Sequence, residues 1–134
     1  MGREIKFRAW YKPLGVMIQP DKLEMINFDT KVLGVYMEME GMGYHVLRMY
    51  DFELMQYTGL QDKNGREIYE GDILQDDYGA GEVEWVQEHC AYMVFTRNPS
   101  IYHRLESDGK LVQSEVIGSI YENPELLEAR GDDN

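Results

Sequence analysis

Sharp-turn signals punctuate the chain at short intervals between residues 57 and 121, and their spacing limits what it can fold into more than any other feature. Asn64-Gly65, Gly71-Asp72, Gly79-Ala80-Gly81, Asn98-Pro99 and Asp108-Gly109 separate short apolar runs, among them Ile73-Leu74, "EVEWV", "AYMVF" and "EVIGSIY". Glycine admits positive φ and proline presets a negative one, so each signal reverses the chain with little strain. Short apolar runs bounded in this way read as strands, and several of them at regular spacing read as a small barrel or sandwich. In "EVEWV", Val83 and Trp85 share one face while Glu82 and Glu84 point away, whereas "AYMVF" reads as a strand buried on both sides. Asn64-Gly65 suits a two-residue type I′ hairpin with both central positions at positive φ, and Asp62 is placed to brace its approach.

The N-terminal "REIKFRAWYK" alternates, with Ile5, Phe7 and Ala9 on one face and Lys6 and Arg8 on the other. Lys12-Pro13-Leu14-Gly15 then predicts a turn before Val16-Met17-Ile18, which completes a hairpin. "KLEMINF", "KVLGVYMEME" and "YHVLRMY" predict two or three further strands between residues 20 and 50. There Met37 and Met39 alternate with Glu38 and Glu40, and Gly41 and Gly43 mark a turn. The methionines read as core filler, since flexible thioethers fit irregular gaps. After the last strand, Asn123 can cap a helical turn that starts at Pro124 and carries Leu126 and Leu127. At 134 residues the chain suits one compact domain over residues 1–128, made of N-terminal strands (1–56) and a barrel-like part (57–121), with a flexible tail at 129–134.

Apolar residues make up 43% of the chain and charged residues 28%, the balance of a soluble globular protein. No apolar run approaches the roughly 20 residues of a membrane span, and the alternating N-terminus lacks a signal peptide's hydrophobic segment; the expected location is cytoplasmic. The single cysteine, Cys90, cannot form an internal disulfide, which suits a reducing compartment. It reads as a small buried or half-buried thiol, because His89 beside it in a strand would point to the opposite face.

Charge is uneven. Residues 1–67 hold nine Lys/Arg against ten Asp/Glu, a net of −1, while residues 68–134 hold four against fifteen, a net of −11. Phosphate contacts need cations, so the acidic half disfavours nucleic acid and suits a basic partner or solubility. The candidate interaction surface is Asp72, Asp76, Asp77, Glu82, Glu84 and Glu88. Any nucleic-acid contact would fall to the basic first strand, through Arg3, Lys6, Arg8 and Lys12.

Chemical motifs fail on inspection. With Gly65 at the glycine position of a calcium loop, Leu60 and Gly71 occupy the first and last positions, where carboxylates are required. Gly41-Met42-Gly43 and Gly79-Ala80-Gly81 each open a dinucleotide fingerprint, but Val46 and Glu84 stand where the third glycine belongs. His45, His89 and His103 are widely spaced and form no short-range zinc pattern with Cys90. No nucleophile–base pair is selected by spacing, so the expectation is a non-enzyme without catalytic residues, metal or cofactor. Tyr69, Tyr78, Trp85, Tyr92, Phe95 and Tyr121 lie among acids and read as packing residues, because stacking platforms for nucleic acid come interleaved with Lys and Arg.

Three blocks, "REIKFRAW", "LMQYTGLQDKNGREIYEGDIL" and "VIGSIYENPELL", together resemble the YopX family of phage and prophage proteins, in that family's order and over about a third of the chain. The resemblance implies a β-rich, cytoplasmic bacterial or phage protein of unassigned activity, with no catalytic residues to carry over. It marks the central block as a structural signature, in which Tyr57, Leu60, Ile68, Tyr69, Ile73 and Leu74 pack and Gly59, Gly65 and Gly71 permit turns. The expected fold is mainly β (β-rich α+β): a small, partly open SH3-like barrel in the C-terminal half, packed N-terminal strands and a short C-terminal helical turn. The expected role is a protein-binding module for a host or phage protein, able to self-associate through uncovered strand edges. Its rivals are an acidic decoy that mimics DNA and nucleic-acid binding through the first strand.

Overall fold

The computed structural model describes residues 4–77, 79–97, 100–105 and 114–127. The turns expected at Asn98-Pro99 and Asp108-Gly109 and the tail at 129–134 lie outside the described residues. The chain is mostly β, with a curled half-barrel sheet and one short C-terminal helix. One body with an internal division after residue 56 was expected; the chain divides at that place into two compact units, each with its own core.

In the unit formed by residues 5–56, β1 (Phe7–Tyr11) and β2 (Val16–Ile18) make the expected hairpin, with Ala9 opposite Ile18. Gly15 N–H donates to the Tyr11 carbonyl at 2.9 Å to close its turn. On its other edge β1 pairs with the start of β6 (Phe52–Gln61), from Phe7 opposite Gln56 to Tyr11 opposite Phe52. β3 (Leu23–Asn27), β4 (Val32–Glu38) and β5 (Met42–Arg48) form an antiparallel three-stranded meander. Alternate residues of β4, Leu33, Val35 and Met37, point inward and join Ala9, Tyr11, Ile18 and Phe52 in the core, so Met37 does fill it. Gly41 serves the turn, whereas Gly43 lies within β5 opposite Met37. Arg8 departs from its expected solvated face: it is buried, and its Nε donates to Met55 Sδ at 3.4 Å. Its long methylene stem makes that burial tolerable where a short charged side chain would resist it.

The other unit carries the rest of β6 with β7 (Glu67–Tyr69), β8 (Asp72–Asp76), β9 (Gly79–Val86), β10 (Ala91–Arg97), β11 (Ser100–Arg104) and β12 (Glu115–Ser119). Strands β8 to β11 meander, and β12 returns to pair beside β8, giving the order β11-β10-β9-β8-β12. Ile68, Leu74, Val83, Tyr92, Val94, Leu105 and Val116 form the core inside this curl. On the opposite face Ile73 and Ala80 meet Leu127, with Leu126 packed alongside; both leucines belong to the helical turn at residues 125–127. Asn123 starts that turn by accepting Leu126 N–H on its carbonyl, but its side chain turns back and accepts Ser119 N–H at 3.3 Å. Gly81 is required by space, since a Cβ there would stand 2.6 Å from Val94 Cγ1 and 2.9 Å from the Phe95 carbonyl.

The central block is held by one carboxylate. Asp62 Oδ1 accepts the N–H groups of Asn64 (2.8 Å) and Arg66 (2.9 Å), and Oδ2 accepts Val116 N–H of β12 at 2.9 Å. Gly65 N–H donates to the Asp62 carbonyl, and Asp62 N–H to that of Arg66. Gly65 has φ 82° while Asn64 keeps negative φ, so the turn is a three-residue loop ending in a left-handed glycine and not the expected type I′ pair. The dipeptide suits both forms, and the Asp62 carboxylate selects this one by clamping both sides of the loop. Upstream, the Thr58 hydroxyl donates to the Ile68 carbonyl at 2.7 Å and accepts Leu60 N–H, filling a break in the β6–β7 ladder at Gly59.

Burial alone pushes the Asp62 carboxyl up and is the largest single influence, but the N–H groups of Val116, Arg66 and Asn64 and the Arg66 charge together hold it below its ordinary value near 3.8. The unfolded chain then binds this proton more readily than the folded one. The carboxylate's contribution is fully present above the ordinary value and is lost as pH falls through the lower, folded one. Asp62→Ala is expected to lower stability in urea at pH 7 by about 1–3 kcal/mol, since it strands buried N–H groups. The gap to the wild type should narrow in strong acid; a gap independent of pH would refute the clamp.

Candidate functional site

The outward face of the five-stranded sheet follows from strand register. Glu82 and Glu84 alternate with the core residue Val83 on β9 and so point away from the core. On β10, Phe95 stands opposite Glu82 and Met93 opposite Glu84; on β11, Tyr102 stands opposite Phe95. The Phe95 and Tyr102 rings lie 4.6 Å apart, and the Tyr102 hydroxyl donates to Glu84 Oε1 at 3.4 Å. Tyr102 is 51% exposed. The result is a carboxylate pair on one strand beside two tilted, contacting rings.

Electrostatics here are unbalanced. Burial, followed by the neighbouring Glu84 charge, raises the Glu82 carboxyl above its ordinary value, and Arg97 only partly opposes this. The Glu84 charge also leads the influences that raise the Tyr102 hydroxyl. Burial is thus the leading cause at Glu82 and the Glu84 charge at Tyr102, and a cation beside Glu84 would oppose its charge at both groups.

The six acids proposed as one surface do not form one. Asp72 is 1% exposed, and its Oδ2 accepts Tyr69 N–H at 2.7 Å across the Gly71 turn, so it is a structural clamp and leaves the set. Asp76 has a side chain only 1% exposed and a carboxylate oxygen 3.0 Å from His103 Nε2. Asp77 is exposed just beyond β8, and Glu88 is exposed in the 3-10 turn Gln87–His89. Only Glu82 and Glu84 share a face and its rings. Sequence reading missed Phe95 and Tyr102 as their companions, because "AYMVF" reads as buried on both sides and the partnership depends on the β9-β10-β11 register.

Other candidates resolve differently from expectation. Cys90 is exposed and has φ 46°, ending the 3-10 turn, so it is neither buried nor in a strand with His89. Among the described residues no three His, Cys, Asp or Glu side chains gather as metal ligands, and no helix is long and apolar enough to cross a membrane. The basic first strand does not present a row of cations: Arg8 is buried, Lys12 Nζ sits 3.6 Å from Glu53 and over the Tyr50 ring, and Arg3 lies outside the described residues.

Two outcomes are expected. Asp76→Ala, which leaves a buried imidazole without its carboxylate, should cost about 1–3 kcal/mol in denaturant unfolding; no loss would remove the pair from the structural ledger. Glu82→Gln should raise stability at pH 7, because a carboxyl whose folded value is raised is disfavoured as pH climbs through that value. The gain should vanish below the ordinary value near 4.5, and a pH-independent change in thermal melting would contradict the assignment.

The profile of the family described as YopX protein matches residues 6–128. Two solved structures are similar in fold. Protein EF1440 from Enterococcus faecalis superposes with a TM-score of 0.63 at 23% identity, over 94% of this chain and 99% of that one. Protein yopX from Bacillus subtilis gives 0.58 at 19% identity, over 91% of this chain and 97% of that one. Among curated proteins none matches.

Proposed function

This chain belongs to the YopX family, and from that premise we propose that it is a cytoplasmic, non-enzymatic module of bacterial or phage origin that binds a basic protein through the outward face of its five-stranded sheet. The observation that carries the proposal is the Glu82–Glu84 pair, with one carboxyl half-buried and raised, set against the Phe95 and Tyr102 rings. A Lys or Arg brought in by a partner would neutralise the pair and lie against an aromatic face, where tyrosine contributes rigid contact area. The net charge of −11 over residues 68–134 would speed encounter with such a partner. We read the strand order of this unit, in which the fifth strand returns beside the first, as that of an SH3-like barrel.

The rival readings have weaker support. A decoy for DNA needs acids spaced along one surface, and Asp72 and Asp76 point inward. Binding of nucleic acid through the first strand needs free cations there, and Arg8 and Lys12 are engaged.

The test is capture from a host lysate. The wild-type chain is expected to retain a basic protein at low salt and to release it as salt rises, because screening weakens such contacts. The double variant Glu82→Lys, Glu84→Lys should lose capture by roughly tenfold or more while melting as a folded protein. Recovery of chaperones alone, or capture indifferent to both salt and the charge reversal, would sink the proposal.

A further inference from the structure

A second surface lies on the other unit, in the region that the sequence left least defined. Between β2 and the end of β4 runs a groove of about 320 Å³. Its floor is Ile18 and Met37, 3% and 6% exposed and continuous with the core; its walls are Val16 and Tyr36, 36% and 39% exposed. β2 is the outer strand of its sheet and only three residues long. In an antiparallel pair alternate residues turn their N–H and C=O groups away from the partner strand, and β2, paired with β1 on one side, has no strand on its other edge.

The rim is charged and unequal. Asp21 and Lys22, 4.0 Å apart, are opposite in sign and cancel in net charge, so the exposed Glu38 on the opposite bank leaves the rim one negative charge in excess. A volume near the low end of ligand sites, roughly 300–1,000 Å³, accommodates one or two large side chains and not an extended cofactor.

We propose that this groove takes an extended segment of a partner protein, with an apolar residue on the Met37 floor, its backbone added to β2, and a flanking Lys or Arg at Glu38. Strand addition supplies backbone hydrogen bonds, and the groove supplies side-chain selection. Met37 gives the floor an adaptable, polarisable contact that accepts either an aliphatic or an aromatic anchor. A second copy of the chain is a poorer occupant, because it would bring two molecules of net charge −12 together, whereas a cationic segment is attracted. The groove is independent of the Glu82–Glu84 face.

The experiment is an NMR titration of the isotopically labelled full chain with an end-blocked synthetic peptide, Lys-Val-Thr-Leu-Thr-Val-Lys. Shifts are expected at residues 16–19 and 36–38, with slowed amide exchange in β2. Glu38→Lys, an exposed change that leaves the core intact, should weaken binding roughly three- to tenfold, whereas Glu84→Lys should not. The peptide with Glu in place of Lys and the peptide N-methylated at alternate residues should both bind more weakly. Shifts confined to residues 82–102, equal binding of the N-methylated peptide, the same shifts appearing with protein concentration alone, or no response at millimolar peptide would each overturn the proposal. Because the groove variant and the Glu84 variant are read separately, failure here leaves the outward-face proposal standing, and the reverse also holds.

Discussion

A single buried carboxylate joins the two most patterned blocks of the sequence. Asp62 serves its own loop through one oxygen and β12 through the other, reaching a backbone N–H 54 positions away. The adjacent Lys63 N–H donates to the Ser114 carbonyl, so the loop and the approach to β12 are stitched at two points. Farther on, Gly71 N–H donates to the Val83 carbonyl and the Gly71 carbonyl accepts Ile120 N–H, which ties the next turn to the turn that follows β12. These contacts hold the returning strand beside β8, and with it the half-barrel curl over Ile68, Leu74 and Val116. An ionised group buried for this purpose must have its lone pairs met, and three N–H donors meet them.

Local signals were legible wherever the deciding physics is local. The turn at Lys12-Pro13-Leu14-Gly15, the buried run Ala91–Val94 and the reversals at Gly65 and Gly71 all follow from φ preference and alternation, which need no knowledge of distant residues. Legibility fails where a distant partner decides. Asp72 and Asp76 looked like solvated acids because a carboxylate has no cause to be buried until Tyr69 N–H and His103 are brought to it. Arg8 alternated like a surface cation until Met55 of β6 covered it. The type of turn at Asn64-Gly65 was hidden for a similar reason: both forms suit the dipeptide, and only a carboxylate able to reach two N–H groups across the loop separates them.

The same division applies to the candidate sites. Glu82 and Glu84 were legible as an outward pair from "EVEWV", because strand alternation alone places them together. Their rings were not, since Phe95 and Tyr102 come from two further strands whose register fixes the contact. The groove beside β2 was less accessible still. It combines a hairpin strand with the far end of β4, and the methionine-rich sequence there suited several arrangements.

The distribution of charge links fold to proposed function. Among the described residues, Asp62, Asp72 and Asp76 are held inside by specific partners, whereas Glu82 and Glu84 stand together on the outward face of β9. Glu82, raised first by its burial and then by the Glu84 charge, is harder to ionise than a free glutamate. A group held in that state costs folding free energy near neutral pH, so a partner of the proposed kind, supplying a positive charge, would stabilise the unit as it bound. On that proposal affinity and stability would be coupled through one carboxyl group. If the proposed binding holds, that coupling separates Glu82 from fully solvated acids, which gain little from a neighbour, whereas a half-buried carboxyl that Arg97 only partly offsets has more to gain from a further cation.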